Sequence, residues 1–280
     1  MQRDRLTDAH SQGRPRPVGP PSVGPCTVAV VLCAGQGSRM GAPQNKVFLP
    51  VGGLPLLVRT LQAFEAARGI DEILLVAHPD ETEYVASEIL GRYPPTKIVH
   101  VVAGGATRHQ SERHALAALR ARIEAGEIGI VLMHDGARPL VTPDDVERVV
   151  TAARASGAAI LAAAFTGDDV VFAVDSDHLL ELLPTVEQPS DQLLRAQTPQ
   201  GFDARTLLRA YDQAQVEGFE GTDTAATLER LGISVMAVLS ASPNPKITTP
   251  DDLLRAEALL AEALLAEAPL REKAADTIGV

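Results

Sequence analysis

Residues Thr27 to Pro50 read TVAVVLCAGQGSRMGAPQNKVFLP. The run Val28 to Leu32 is apolar and rich in β-branched side chains, the pattern of a strand buried on both faces of a parallel sheet. A central strand is predicted there. Gly35, Gly37 and Gly41 follow, with Arg39 between them and Lys46 shortly after. A backbone with so little side-chain bulk lets main-chain N–H groups close on an anion, and the two cations neutralise what those donors hold. The spacing predicts a phosphate cradle. It is not the dinucleotide fingerprint, because the third glycine falls one place late and no acidic residue follows near Val58. It is not a Walker loop either, since no Gly-Lys-Ser/Thr occurs. A glycine turn after a strand can be only a tight connection. Arg39 and Lys46 at this spacing in a net-acidic chain favour the anion-binding reading.

The chain has 280 residues, of which 45% are apolar, enough for one large α/β core. Its net charge of −11 comes with no basic stripe, which argues against a nucleic-acid binder. An anionic substrate must therefore be met locally. Cys26 and Cys33 are the only cysteines, too few for a disulfide framework, and fit a reducing compartment; Cys33 reads as a core thiol. No run of about 18 apolar residues is present to span a bilayer, and the start of the chain lacks the apolar core of a secretory signal. A cytoplasmic protein is expected.

Residues 1–25 carry five prolines and no apolar periodicity, so a disordered extension is expected there. Pro55 to Ala67 places Leu56, Leu57, Leu61 and Phe64 on one helical face. Strands are predicted at Glu72 to Ala77 and Lys97 to Val102, with a helix at Glu81 to Leu90 between them. This alternation predicts a parallel sheet. The third strand runs into AGGATRHQSERHALAAL, where Gly104 and Gly105 turn the chain and a helix is predicted from Ser111, its positive end toward the crevice. The competing reading leaves an ordinary helix with Arg108 and Arg113 in solvent.

A fourth buried strand, Ile128 to Met133, leads into HDGARPLVTPDDVERVV. Asp135 then lies at the carboxyl end of a parallel strand, placed to hold a metal or a ribose, or else serving turn chemistry alone. Thr142 reads as the N-cap of a helix from Pro143 with Asp144 and Asp145 in its first turn. Ala158 to Phe165 is another strand, and the alternating segments between Thr166 and Ser190 predict a projecting hairpin. AQTPQGF from Ala196, GTDTAATLERLG from Gly221, a strand at Ser234 to Leu239 and NPKITTPDDL from Asn244 complete the series. Lys246 reads as a third cation for the phosphate site. A Leu, Ala and Glu-rich helix is expected from Asp251 to Glu272.

AGQGSRMG, NKVFLPVGG followed by PLL, HDGARP, TPQGF, GTDTA and NPK occur in an order that resembles the 2-C-methyl-D-erythritol 4-phosphate cytidylyltransferase family. The family's HDAARP is matched at five of six residues, and the resemblance runs from Val28 to about Leu260. It implies an α/β, Rossmann-like fold with a mostly parallel central sheet, a catalytic domain over 26–265 with an arm at about 166–190, and a tail over 266–280. It also implies CTP and a polyol phosphate as substrates, Mg²⁺ as cofactor, and a homodimer clasped through the arm. Ala34, Gly35, Gly37, Gly104, Gly105 and Ser111 would hold the nucleotide, and Arg39, Lys46 and Lys246 would be catalytic. Asp135, Arg138 and Thr222 would place the acceptor, with Asp135 also a metal ligand. Two departures fall on the acceptor side. The arm begins Thr166, Gly167, Asp168, Asp169 where an Asp-Thr pair is the pattern, and Thr185, Val186, Glu187, Gln188 stands where the family offers an arginine. Arg195 is the candidate replacement. A ribitol 5-phosphate type of acceptor and a non-catalytic nucleotide-binding paralogue are the competing readings.

Overall fold

The computed structural model describes residues 24–35, 45–164, 172–174, 180–182 and 193–278. The expected N-terminal extension, Gly37, Arg39 and Gly41, and the arm positions 166–169 and 185–188 lie outside these residues.

β1 (Cys26–Cys33) leads to a 3-10 turn at Lys46–Phe48, the two-residue strands β2 (Pro50–Val51) and β3 (Leu54–Pro55), and α1 (Leu56–Ala66). β4 (Glu72–Ala77) follows, then helical segments Pro79–Glu81, α2 (Thr82–Tyr84), Val85–Ile89 and α3 (Leu90–Arg92) where one helix was expected. Next come β5 (Ile98–Ala103), α4 (Arg108–Glu124), β6 (Ile128–Asp135), α5 (Pro143–Ser156) and β7 (Ala158–Ala164). β8 (Phe172–Val174), β9 (Leu180–Leu182), β10 (Leu193–Asp203), α6 (Ala204–Glu217), α7 (Thr224–Glu229), β11 (Met236–Leu239) and α8 (Pro250–Ile278) complete the order.

The main sheet runs β11-β7-β10-β6-β1-β4-β5. β1 pairs in parallel with β4 on one side and β6 on the other, so its central position is as expected. After β5 the chain returns to the far side of β1, which opens a crevice at the carboxyl ends of β1 and β6, where open α/β sheets bind ligands. The parallel expectation is corrected at one place. β10, which carries AQTPQGF, inserts between β6 and β7 and is antiparallel to both. That segment has a proline and three polar residues, so its sequence did not read as a strand. β8 and β9 form the expected hairpin, and β8 pairs with β10.

Both faces of β1 are covered, for the reason its apolar run gives. Val28 and Val30 face a cluster with Leu116, Ile123, Phe202 and Leu207, while Ala29 and Val31 face Leu57, Phe64, Val146 and Val149. Each fully buried Val, Leu or Phe contributes roughly 1.5–3 kcal/mol of apolar transfer. A third cluster of Val51, Leu56, Ile247 and Ala256 seats α8 beside the segment that carries Lys246. Glu257 of α8 accepts the Gly52 N–H at 2.9 Å, fixing the helix against the β2–β3 turn.

Candidate active site

The crevice is a cavity of about 500 Å³. Its described lining comes from the ends of β1 (Ala34, Gly35), β5 (Gly105) and β6 (Asp135), with Lys46, Arg108, Ser111 and Lys246 around them. Each motif is held there by hydrogen bonds between loops that are far apart in sequence.

The Lys46 segment is tied by the buried Asn45, whose amide donates to the Cys33 carbonyl at 3.0 Å and to Glu81 at 2.8 Å. Its own carbonyl oxygen accepts the Val47 N–H at 3.3 Å and caps the turn that carries Lys46. Cys33, also on the cavity wall, is 2% exposed. Burial pushes its thiol up to about 12, which makes it inert as a nucleophile.

Gly104 and Gly105 are required by close approach. A Cβ on Gly104 would lie 2.5 Å from the Ala34 Cβ and 2.9 Å from Ser111 Oγ, and one on Gly105 would lie 2.5 Å from the Gln110 Cβ. The helix here starts at Arg108, three residues before the expected Ser111, because Thr107 is the N-cap and accepts the Gln110 N–H at 3.1 Å. Ser111 therefore sits in the first turn, where its hydroxyl accepts the Gly105 N–H at 3.0 Å and fixes the glycine turn.

Asp135 is the junction. Lys246 Nζ lies 2.9 Å from its Oδ2, Arg138 Nε 3.5 Å from the same oxygen, and Arg108 Nε 3.4 Å from Oδ1. Burial alone would raise the Asp135 carboxyl, but Arg108, Lys246 and Arg138 outweigh it and hold it well below the usual carboxylate range. Arg138 is mostly buried behind Asp135, with burial drawing its own pKa down, and donates to the Asn244 carbonyl at 2.9 Å. It is not among the cavity-lining residues. Its described contacts brace the NPK loop. The Asn244 amide in turn donates to the Thr198 carbonyl at 2.9 Å, and the Ile247 N–H to the Ala137 carbonyl at 2.8 Å. These bonds deliver Lys246 to Asp135.

His134, next to the junction, is fully buried. Its Nε2 faces the Arg138 carbonyl at 3.4 Å, which can only accept, so Nε2 carries the proton. Nδ1 then accepts from the Thr198 hydroxyl at 3.1 Å, and the Thr198 oxygen accepts the Asp135 N–H at 3.1 Å. Burial pushes His134 down to about 3, so the ring stays neutral and structural.

The structure thus brings together Ala34, Gly35, Lys46, Gly105, Ser111, Asp135 and Lys246, with Gly104 packed directly behind Ala34. Thr222 sits exposed in the loop before α7, outside the described lining. Arg108, left open as a solvent residue by sequence, lines the cavity instead. It stands i, i+4 from Glu112 and pairs with it at 2.5 Å, but that spacing is shared by solvated helix pairs and does not by itself signal a buried one. Asn45, Thr198 and Asn244 were not legible as anchors, since their roles depend on strand ends that meet only in three dimensions.

The donor set bears on the metal. Asp135 is the only carboxylate among the described lining residues, and both its oxygens face cations. Among the described residues no group of three His, Cys, Asp or Glu gathers in a way that could hold an ion. These residues do not form a Mg²⁺ site of their own. No helix among the described residues is long and apolar enough to cross a membrane.

A family model described as 2-C-methyl-D-erythritol 4-phosphate cytidylyltransferase matches residues 27–262. Proteins of that name from Syntrophus aciditrophicus and Geobacter metallireducens are 42% and 40% identical, over 84% and 83% of this chain and 96% of each relative. The crystal structure of 4-diphosphocytidyl-2C-methyl-D-erythritol synthase from Anaerococcus prevotii matches with a TM-score of 0.68 at 30% identity, covering 85% of this chain and 97% of that one. The Thermus thermophilus 2-C-methyl-D-erythritol 4-phosphate cytidylyltransferase structure matches with a TM-score of 0.57 at 34% identity, covering 82% and 97%. With the match spanning the whole sheet and every loop that lines the cavity, the chain belongs to the 2-C-methyl-D-erythritol 4-phosphate cytidylyltransferase family of nucleotidyltransferases.

Proposed function

We infer that this chain transfers the cytidylyl group of CTP to 2-C-methyl-D-erythritol 4-phosphate, giving 4-diphosphocytidyl-2-C-methyl-D-erythritol and pyrophosphate in isoprenoid precursor synthesis. The observation that carries this reading is the meeting of Lys46, Lys246, Asp135, Gly35 and the Gly105 turn in one cavity at the carboxyl ends of β1, β5 and β6.

Transfer of this kind asks a protein for positioning and charge neutralisation more than for covalent chemistry. The acceptor phosphomonoester has a second pKa near ~6 and is largely ionised at neutral pH, so it attacks without a strong base. Its oxygen forms a bond to the α-phosphorus of CTP, and the bond from that phosphorus to the bridging oxygen breaks in line, releasing pyrophosphate. Lys46 and Lys246, with Arg39, neutralise charge that shifts onto the departing pyrophosphate. Gly104, Gly105 and Ser111 read the cytosine ring, Ala34, Gly35 and Gly37 follow the phosphates, and Asp135 orients the acceptor, with Arg138 acting on it from behind Asp135 and Thr222 from the loop before α7. Mg²⁺ would be held by the triphosphate rather than by these residues and would offset its charge. The protein is cytoplasmic in this reading, and the β8–β9 arm clasps a second copy.

Pyrophosphate release from CTP and Mg²⁺ tests the reading with four conditions: methylerythritol 4-phosphate, ribitol 5-phosphate, glycerol 3-phosphate and no acceptor. Turnover confined to methylerythritol 4-phosphate is the expected result. Gln188 stands where the family pattern has an arm arginine, and this favours a second reading with a different polyol phosphate. Turnover preferring ribitol 5-phosphate would establish that one instead.

A further inference from the structure

Beneath the cavity lies a buried carboxylate that the chemistry above does not use. Glu112, on α4, is 1% exposed. It accepts from Arg108 Nη1, from the Tyr211 hydroxyl of α6 and from the Thr224 hydroxyl of α7, each at 2.5 Å. Arg108 Nη1 also donates to Thr224 Oγ1 at 3.3 Å. Every one of these partners is a donor, which is the arrangement an ionised acceptor takes. Burial, with a smaller contribution from Asp135, leaves the Glu112 carboxyl raised, and Arg108, Thr224 and Tyr211 act against that rise.

We propose that Glu112 is a positioning residue for the transfer reaction: it fixes the Arg108 guanidinium between α4 and α7 and so sets how Asp135 shares its charge with Lys246. Arg108 reaches Glu112 at 2.5 Å and Asp135 only at 3.4 Å, whereas Lys246 reaches Asp135 at 2.9 Å. The short bond anchors Arg108 at Glu112, so that Arg108 meets Asp135 Oδ1 only at longer range and leaves Oδ2 to Lys246. Without the Glu112 charge, Arg108 loses its shortest ion pair and is drawn toward Asp135, where it faces Oδ1 while Lys246 holds Oδ2, so the carboxylate that orients Lys246 is pulled from its present geometry. The same guanidinium also ties the turn after β5 to the segment around Thr222, since Thr224 is two residues further on. A second clamp repeats that tie, with Thr107 and Gln110 both donating to Glu220 at 3.1 Å. Buried networks of this type are sensitive because each member is desolvated and loses its partner without compensation from water.

The inference rests on the transferase reading, and the test separates the two. Wild type and Glu112→Gln are compared in steady-state turnover with CTP, Mg²⁺ and methylerythritol 4-phosphate, in calorimetric titration with CTP and Mg²⁺, and in crystal structures. The expected result is a kcat about 10- to 100-fold lower, of the order a misplacement near 1 Å produces. KM for CTP stays within about threefold and CTP binds at full stoichiometry, because Ser111 still accepts the Gly105 N–H and holds the base-reading turn. A merely structural role gives instead a reduced CTP stoichiometry and a loss that cooling restores. A folded E112Q protein with kcat within twofold of wild type overturns the proposal. If E112Q does not fold, Tyr211→Phe and Thr224→Val each remove one hydrogen bond to the carboxylate. Each is expected to lower kcat about three- to tenfold, and unchanged kcat in both overturns the proposal. Absence of turnover in the wild type defeats the transferase reading alone. The crystal structures then decide, and an Arg108 that stays in place in E112Q, or in Y211F and T224V where E112Q does not fold, overturns the proposal.

Discussion

Lys246 Nζ lies 2.9 Å from Asp135 Oδ2, a contact between residues on two loops that approach only because β6 and the NPK segment are pinned to each other. The pair is half open, with Lys246 38% exposed and Asp135 11% exposed on their side chains, so the lysine reaches into the open cavity while the more buried carboxylate anchors it at the wall. This is how a cation is held in place ahead of substrate rather than recruited by it.

Replacing Lys246 with methionine keeps the aliphatic stem and removes the charge. Turnover should fall by about 10²- to 10³-fold, the range seen when one preorganised group that stabilises transferring charge is lost. Thermal unfolding should shift by only a few degrees, since the lysine is well exposed. Rapid turnover in K246M would remove it from the mechanism. A drop confined to CTP affinity would favour a nucleotide-binding protein over an enzyme.

Asn244 is not among the described cavity-lining residues, yet it joins Arg138, Gln197 and Thr198 to the loop that carries Lys246. Asn244→Ala leaves the Thr198 carbonyl unpaired and loosens that loop. A kcat lower by about tenfold is expected, with destabilisation of about 1–3 kcal/mol from the unpaired buried group. Equal kcat in wild type and variant would show that Lys246 is positioned by other contacts.

Gly104→Ala inserts a methyl group where Ala34 and Ser111 already stand. The turn must move off β1, costing about 1–3 kcal/mol in overpacking. The kinetic signature is a KM for CTP raised about tenfold with kcat less affected, because ground-state binding is what the turn supplies. A normal KM in G104A would place the base elsewhere.

His134 gives a pH dependence with a definite sign. Its folded pKa, about 3, lies below the ordinary histidine value, so the unfolded chain binds more protons between about pH 6.5 and 3. Stability from this group is complete above about pH 6.5 and declines as pH falls through that window. Asp135 adds its own loss only below the ordinary carboxylate range, because its folded pKa is depressed. Chemical denaturation of wild type and His134→Asn at pH 7.5 and 5 should show a smaller pH difference in the variant. An identical difference in both would assign the titration to another group.

The sequence made the parallel core legible because β-branched runs and glycine turns are local signals. Val28 to Leu32, Glu72 to Ala77 and the Thr142 cap fall where their patterns placed them. β10 was hidden because Thr198, Pro199 and Gln200 carry loop chemistry. The strand exists through pairing with β6 and β7, a tertiary effect that overrides propensity. In the site, Asp135 was legible as a carboxylate at a strand end, and Lys46 and Lys246 as lysines within short polar motifs between elements. Arg108 and Glu112 were not, because a buried ion pair and a solvated i, i+4 pair have the same spacing. What separates them is the covering of α4 by Tyr211 and Thr224, more than 90 residues away.

The most direct test of the account follows the oxygen atoms. Methylerythritol 4-phosphate carrying heavy oxygen in its phosphate is incubated with the protein, CTP and Mg²⁺, and the products are read by phosphorus NMR. Attack by the acceptor on the α-phosphorus predicts label in the bridging position of the new diphosphate and none in the released pyrophosphate. Labelled pyrophosphate, or CMP formed without a cytidine-linked product, would contradict it.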